Sequence, residues 1–393
     1  MNTITFVLPW FGPDTAGGAE TQVRQLVGAL RACGAPVEVW ATTGRDAFAP
    51  PEPHYPEGPA EVDGAPVRRF ALTPPARDPR VPPAVARRGL ERRLPPFPTH
   101  ELRLLASLVS SDALLEAVAA EGAGRVFVFV LYPFPTSFWG ALLAGERACL
   151  LPCLHDEPYA RYSTVAWLFR RARRVLANSP AERDLALRLY DLPPERVVVA
   201  GEGIDLGPRG DGAAFRRRHG LEGPLLFYTG RRDAGKNIPL LLSYTREYHA
   251  RRGGPLTLAL AGGRQPLGAP PSLGHLVRDL GYLSVQEKHD AYAAADVFVH
   301  AGLHESFSIV LMEAWLQGAP ALVHADCAVT RQASEASGAG LTFRTFGEFA
   351  AALDLLLPDP ALRCELGARG RTWVLEHCRW DSVARRTVAA LEG

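Results

Sequence analysis

Residues 225–263 read LLFYTGRRDAGKNIPLLLSYTREYHARRGGPLTLALAGG. A β-prone run, LLFYT, stops at Gly230, and a polar loop leads into the helical pattern NIPLLLSYTREYHARR. A second apolar run, LTLALA, then ends at Gly262–Gly263. Strand, helix and strand in this order make a βαβ unit, whose two strands lie parallel with the helix as crossover. Downstream, ADVFVHA and PALVHA continue the series. Upstream, TITFVLPW, PVEVWATT, RVFVFVLY, RACLLPCLH and RRVLANS are strands separated by helical patterns such as GAETQVRQLVGALRACG and SPAERDLALRLY. Two open α/β sheets joined near residues 199–210 are expected. Ligands of such sheets sit beyond the carboxyl ends of the strands, so the strand ends are where chemistry is sought. The Pro-rich segment from Pro50 to Pro98 interrupts the first sheet and reads as a long surface insertion.

A chain of 393 residues with 47% apolar and 22% charged composition suits two ordinary domains. Its net charge of +1 removes the usual argument for a nucleic-acid partner. Of 43 basic residues only Lys236 and Lys288 are lysine, a bias that makes a lysine inside a motif informative. The six cysteines are scattered with no CxxC pair, as expected of reduced thiols. The start, MNTITFVLPWFG, reads as a strand and lacks a basic signal-peptide region. Val126 to Ala144, the most apolar stretch, is broken by Pro133 and Pro135 and reads as strand then helix. A cytoplasmic protein is the expectation.

The loop GRRDAGKN (230–237) is close to a P-loop, but Asn237 stands where a magnesium-holding Ser or Thr belongs. The first strand's turn, GPDTAGGAE, has adjacent Gly17 and Gly18 instead of the GxGxxG dinucleotide fingerprint. Two readings stand for that pair: an anion-approaching loop, with N–H groups aimed at a phosphate, or a plain turn. In HESFSIVLMEAWLQGAP (304–320), Glu305 and Glu313 are eight apart. On one helix that spacing spans roughly 12 Å, too far for the acid pair of a glycosidase. It suits a ligand with a sugar at one end, a ribose at the other, and a diphosphate over the helix N-terminus near Phe307–Val310. The bland alternative makes Glu305 a charge at the helix start and Glu313 an exposed helical residue.

The sequence resembles the retaining glycosyltransferases of family 4, on the E-x7-E element ESFSIVLME, the G-R-x4-K loop GRRDAGKN, the glycine loop GGAE, the mid-chain HDEPY and the interdomain turn GEGID. The C-terminal HCRWDSVARRTVAALE resembles that family's crossing helix. The resemblance implies the α/β GT-B fold: two facing Rossmann-like domains with a deep interdomain cleft. Residues 1–198 with the returning helix 379–393 would form the acceptor domain, and 199–378 the nucleotide-sugar donor domain. It also implies roles. Arg231 and Lys236 would bind the donor diphosphate and meet the charge on the leaving phosphate. Glu305 would hold hydroxyls of the transferred sugar, Glu313 the ribose, and Leu283 in GYLSVQEK would border the base. Backbone amides at Phe307, Ser308, Ile309 and Val310 would meet the phosphates, with Gly17 and Gly18 opposite. His155 would lie near the reacting sugar, Asp156 and Glu157 toward the acceptor. Without the resemblance His155 reads as a core or capping histidine. Ser306 and Ser308 stand where the family has glycines, and Glu202 where it has Asn.

The activity so implied is transfer of a hexose-type sugar, with retention, from a nucleoside diphosphate sugar to a hydroxyl. The acceptor would be a glycan, a glycolipid or a small hydroxyl compound, with cell-surface polysaccharide or lipopolysaccharide synthesis as the setting. No D-x-D pair occurs, so neither metal nor other cofactor is expected. A small-molecule or sugar-phosphate transferase or synthase on the same fold, or a non-catalytic nucleotide-sugar-binding subunit, are the alternatives. The basic stretches Arg77–Arg93 and FRRARRV (169–175) suit either a peripheral contact with an anionic membrane or a solvated helix face. Lys288 reads as a surface residue.

Overall fold

The computed structural model describes residues 2–15, 17–47, 49–263, 274 and 276–393. The chain divides into two compact units, residues 1–203 with 380–393, and residues 204–379.

In the first unit eight strands form one sheet: β1 Thr3–Trp10, β2 Val37–Thr42, β3 Gly58–Val62, β4 Ala65–Phe70, β5 Arg125–Val130, β6 Ala148–Leu151, β7 Arg174–Ala177 and β8 Val197–Val199. Their order is β3-β4-β2-β1-β5-β6-β7-β8. All neighbours are parallel except the β3–β4 pair. Strand β1 is central, with Phe6 opposite Val39 on one side and Val128 on the other. Its side chains alternate between two cores: Val7 joins Phe127, Phe129 and Leu150, while Ile4, Phe6 and Leu8 join Val126, Val128 and Val130. A strand covered on both faces reads as one apolar run, as TITFVLPW does. The helix Gly18–Ala32 buries Val23, Leu26, Val27 and Leu30, the three-and-four spacing of a single stripe. The C-terminal helix Trp380–Glu392 packs along it.

Two sequence expectations change here. The first unit extends to Gly203 rather than Val198, because Val199 pairs with Ala177 and the Gly201 N–H donates to Ala177 O (3.1 Å). The Pro-rich segment is also more than an insertion: it supplies β3 and β4, and β4 extends the parallel sheet beside β2. Asp63 and Gly64 both take positive φ (50° and 77°), the two-residue hairpin turn that an Asp-Gly pair favours.

The second unit holds β9 Leu225–Thr229, β10 Thr257–Ala261, β11 Val277–Gly281, β12 Val297–His300, β13 Ala321–His324 and β14 Gly340–Phe343. Every neighbouring pair is parallel, and the order is β11-β10-β9-β12-β13-β14. Counted within the unit this is 3-2-1-4-5-6, the doubly wound order, in which the connections part between β9 and β12. The loops leaving the carboxyl ends of those two strands are 230–237 and 301–308. They are the two stretches that the sequence singles out.

Among the described residues no helix is long and apolar enough to cross a membrane. The basic stretch 169–175 makes contacts within its own unit, while Arg170 and Arg171 stay exposed. Phe169 is fully buried and stacks on Tyr190 (ring centroids 4.2 Å apart). Arg170 Nε donates to Tyr190 O (3.1 Å), Arg171 lies over the Trp167 ring (5.7 Å), and Arg173 donates to Leu391 O.

Candidate functional site

The loop after β9 turns away at Gly230, whose φ of 148° suits glycine. Its N–H donates to Ala261 O (3.2 Å) at the end of β10. A Cβ on Gly262 would fall 2.5 Å from Gly230 O, so the two strand ends approach closely only because Gly262 is bare. The Tyr228 hydroxyl donates to Arg231 O (2.7 Å). The two arginines that follow differ. Arg232 is nearly buried and pairs with Asp279 on β11 through both terminal guanidinium nitrogens. Arg231 is more than half exposed, and among the described residues its guanidinium pairs with Asp233 alone, through Nε at 3.3 Å, which leaves its terminal nitrogens for a ligand.

Lys236 closes the same loop. Its Nζ donates to Glu305 Oε1 (2.5 Å) and to His304 O (3.5 Å), and the Leu303 N–H donates to Gly235 O (3.0 Å). These contacts bind the β9 loop to the β12 loop. His300, the last residue of β12 and 1% exposed, places Nε2 2.9 Å from the same Glu305 oxygen. That nitrogen is the donor, since the carboxylate accepts only. Burial pushes the Glu305 carboxyl up, but the Lys236 ammonium and the His300 hydrogen bond outweigh it and hold it well below the usual carboxylate range.

The next helix starts at Ile309 and ends at Leu316. Glu305 therefore lies in the preceding loop, and the separation of two carboxylates on one helix does not apply to it and Glu313. Ser308 caps this helix at φ 75°, keeping the left-handed backbone that glycine would adopt without strain. Its side chain is buried, and Oγ has no hydrogen-bond partner among the described residues. Residues 307–310 present the first-turn amides, and Phe307, Ile309 and Val310 pack into one core cluster with Leu283. Leu283 follows β11, between exposed Tyr282 and Val285.

Glu313 is not an exposed helical residue. Lys288 Nζ donates to its Oε1 (2.7 Å) and the buried Tyr292 hydroxyl to its Oε2 (2.9 Å). Both donors lie one turn apart on the helix Val285–Ala294, begun by a Ser284–Glu287 capping box. The reading of Lys288 as a surface residue is overturned: each of the chain's two lysines pairs with one glutamate of the E-x7-E element.

In the first unit Gly17 precedes the helix Gly18–Ala32 at φ 154°, and a Cβ there would strike the Glu20 carboxylate at 1.8 Å. A Cβ on Gly18 would meet nothing within 4 Å among the described residues. His155, four residues past β6, sets Nδ1 3.4 Å from Glu157 Oε1, the oxygen that also accepts from the Tyr132 hydroxyl (3.0 Å). Burial raises the Glu157 carboxyl, and the hydrogen bond with His155 leads the contacts that bring it below its ordinary value. Asp156 is held by Arg161 and by Arg188 (3.3 Å). Gln22 Nε2 donates to Asn178 Oδ1 (2.6 Å) and Cys153 Sγ to Gln22 Oε1 (3.5 Å), tying the glycine-loop helix to the ends of β6 and β7.

Arg231, Lys236, Glu305, residues 307–310, Glu313 and Leu283 thus lie in the second unit, all but Leu283 and Glu313 on the two loops at its switch point or at the helix start that follows them. Gly17, Gly18 and His155 lie in the first. Sequence reasoning missed His300, Lys288 and Tyr292. The rarity of lysine was the one signal that marked Lys288.

Known proteins match both units. A model of glycosyltransferase family 4 matches residues 16–208, and one of glycosyl transferases group 1 matches residues 213–373. A D-inositol 3-phosphate glycosyltransferase of Frankia alni is 33% identical over 267 residues, 63% of this chain and 63% of that protein. One of Kineococcus radiotolerans is 32% identical over 261 residues, 59% of this chain and 60% of that protein. The matches thus span about three fifths of the length of these curated relatives. Among solved structures, sucrose-phosphate synthase from Thermosynechococcus elongatus superposes with a TM-score of 0.71 at 19% identity, covering 100% of this chain and 98% of that one. Anabaena HepE, solved with UDP-glucose, gives 0.68 at 16% identity and full coverage of both chains. The first unit carries the family 4 domain and the second the group 1 domain, on GT-B Rossmann-like sheets: the chain belongs to the family 4 glycosyltransferases.

Proposed function

We propose that the protein is a glycosyltransferase that moves a hexose-type sugar, with retention, from a nucleoside diphosphate sugar to a hydroxyl of a small acceptor. The single observation that carries this is the Lys236–Glu305 pair, which joins the two loops at the switch point of the second sheet. Lys236 has three N–H donors; one is on Glu305 and one on His304 O, which leaves one for a phosphate oxygen. Arg231 adds a largely exposed guanidinium, and the helix start at Ile309 adds amides and the positive end of a dipole. As the anomeric C–O bond lengthens, negative charge grows on the departing phosphate, and these donors are already set to receive it. No metal is needed in this scheme, since cationic side chains supply the charge.

Glu305 is fastened through Oε1 by both Lys236 and His300, which leaves Oε2 for hydroxyls of the transferred sugar. Family resemblance gives His155 a part in the reaction, its ring steadied by Glu157. Retention is what family membership suggests, by attack from the face of the leaving phosphate, which takes the acceptor's proton. For the acceptor, the relatives named for inositol 3-phosphate favour a small polyol phosphate over a polymer. The test is proton NMR of the product formed from a nucleoside diphosphate sugar and a set of polyol phosphates. An axial donor linkage should appear as an axial product linkage; an inverted product would rule out retention, and no transfer to any small acceptor would rule out the acceptor class.

A further inference from the structure

Glu313 is clamped differently from Glu305, and the difference points to a selectivity device. On Glu305 both partners use the same oxygen. On Glu313 they are split: Lys288 takes Oε1 and Tyr292 takes Oε2. A carboxylate offers about four lone-pair sites. With one site used on each oxygen, one remains on each, the spacing of a bidentate acceptor for two adjacent hydroxyls. The carboxylate is also registered from the next turn. Gln317, four residues on, meets His289 Nδ1 (3.1 Å), Pro208 O (3.0 Å) and the Gly210 N–H (3.0 Å). Burial pushes the His289 imidazole down, so it meets Gln317 neutral. The helix that carries Lys288 and Tyr292 thus meets the helix of Glu313 at the carboxylate and again at Gln317, one turn on.

We infer that Lys288 is a positioning residue which, with Tyr292, holds Glu313 to grip a vicinal diol and so makes the site select a ribonucleoside over a 2′-deoxyribonucleoside diphosphate. This rests on the donor reading above, in which Glu313 receives the ribose. A lysine serves better here than the arginine used throughout the chain, since a compact ammonium binds one oxygen and leaves the other for Tyr292. A planar guanidinium would tend to cover both.

The test is calorimetric titration of UDP, GDP and ADP, each against its 2′-deoxy form, on the wild type and on Lys288→Met and Tyr292→Phe, with thermal melting as the folding control. The wild type should prefer the ribonucleotide by about 10- to 100-fold, the value of a hydrogen bond to a charged acceptor. Lys288→Met should cut that preference by about tenfold, and donor KM should rise more than kcat falls. Tyr292→Phe should cut it in the same direction. An unchanged ribo-to-deoxy ratio in both variants, with ribonucleotide binding retained, overturns the inference, as does a wild type indifferent to the 2′-hydroxyl. If no ribonucleotide binds the wild type at all, the donor reading itself fails, a distinct result.

Discussion

Lys288 Nζ lies 2.7 Å from Glu313 Oε1, on a helix facing the one that carries the glutamate. The chain's other lysine, Lys236, stands 2.5 Å from Glu305. Where arginine serves nearly every other cationic role, both lysines are spent on the E-x7-E pair. Each is a single point of charge on one carboxylate oxygen, which leaves acceptor capacity for a ligand.

Lys236→Ala should lower kcat with the accepted donor sugar by about 10²–10³-fold, the usual effect of losing one donor to developing charge. Lys236→Arg should recover only part of it, because a fork replaces a point charge. Steady-state kinetics with purified variants decide this; a Lys236→Ala enzyme of near wild-type kcat would remove Lys236 from the chemistry.

The same pair carries a pH signature. Glu305 has a folded pKa below its unfolded value, so its contribution is full above the ordinary carboxylate range and is lost as pH falls toward the folded value. In Lys236→Met the carboxyl keeps its burial and loses its main counter-charge. The variant should be less stable than the wild type at pH 7, and the gap should shrink as pH falls from 7 to 3. Urea unfolding across that range measures it; a gap independent of pH would show that the pair adds no linked stability.

How much of this was legible follows from particular residues. Strands β1, β2, β5, β6, β7, β9, β10, β12 and β13 were plain because a parallel strand buried on both faces is an unbroken apolar run, as RVFVFV at β5 is, whereas β8, β11 and β14, short or partly exposed, were not read. The hairpin β3–β4 was hidden by surrounding prolines, although Asp63-Gly64 marked its turn. Lys236 and Glu305 were legible from their motifs. His300 was not, since a histidine ending an apolar strand shows its partner only once the fold returns Glu305 beside it. Tyr292 was not singled out for the same reason, and the Lys288–Glu313 pair joins residues 25 apart in sequence.

In the first unit Glu182 titrates the other way. It is buried against the Leu154 and Asn178 N–H groups, and burial outweighs those hydrogen bonds, pushing its carboxyl up to about 8. Its folded pKa lies above the unfolded one, so the native state holds the extra proton and stability falls as pH rises from about 5 to 8. Glu182→Gln keeps the size and does not titrate. Relative to this variant the wild type should lose on the order of a few kcal/mol across that window. Thermal melts at pH 5 and pH 8 check it, and parallel pH curves would contradict it.

Ser308→Gly should raise stability by about 1 kcal/mol, by relieving the left-handed backbone and removing a buried hydroxyl without a partner, against glycine's greater freedom when unfolded. Ser308→Ala removes the hydroxyl and keeps the strain, so it should gain less. Equal or reversed midpoints in denaturant would refute the strain at this position.

The most direct test of a donor site in the second unit is thermal denaturation with UDP-, GDP-, ADP- and dTDP-glucose, for the wild type and Glu313→Ala. At 100 times its Kd a true donor adds about 2.7 kcal/mol to stability, a clear rise in Tm. At least one of the four should raise the wild-type Tm, and Glu313→Ala should lose most of that shift. If none of them moves the wild-type Tm at millimolar concentration, the assignment of this site to a nucleoside diphosphate sugar is contradicted.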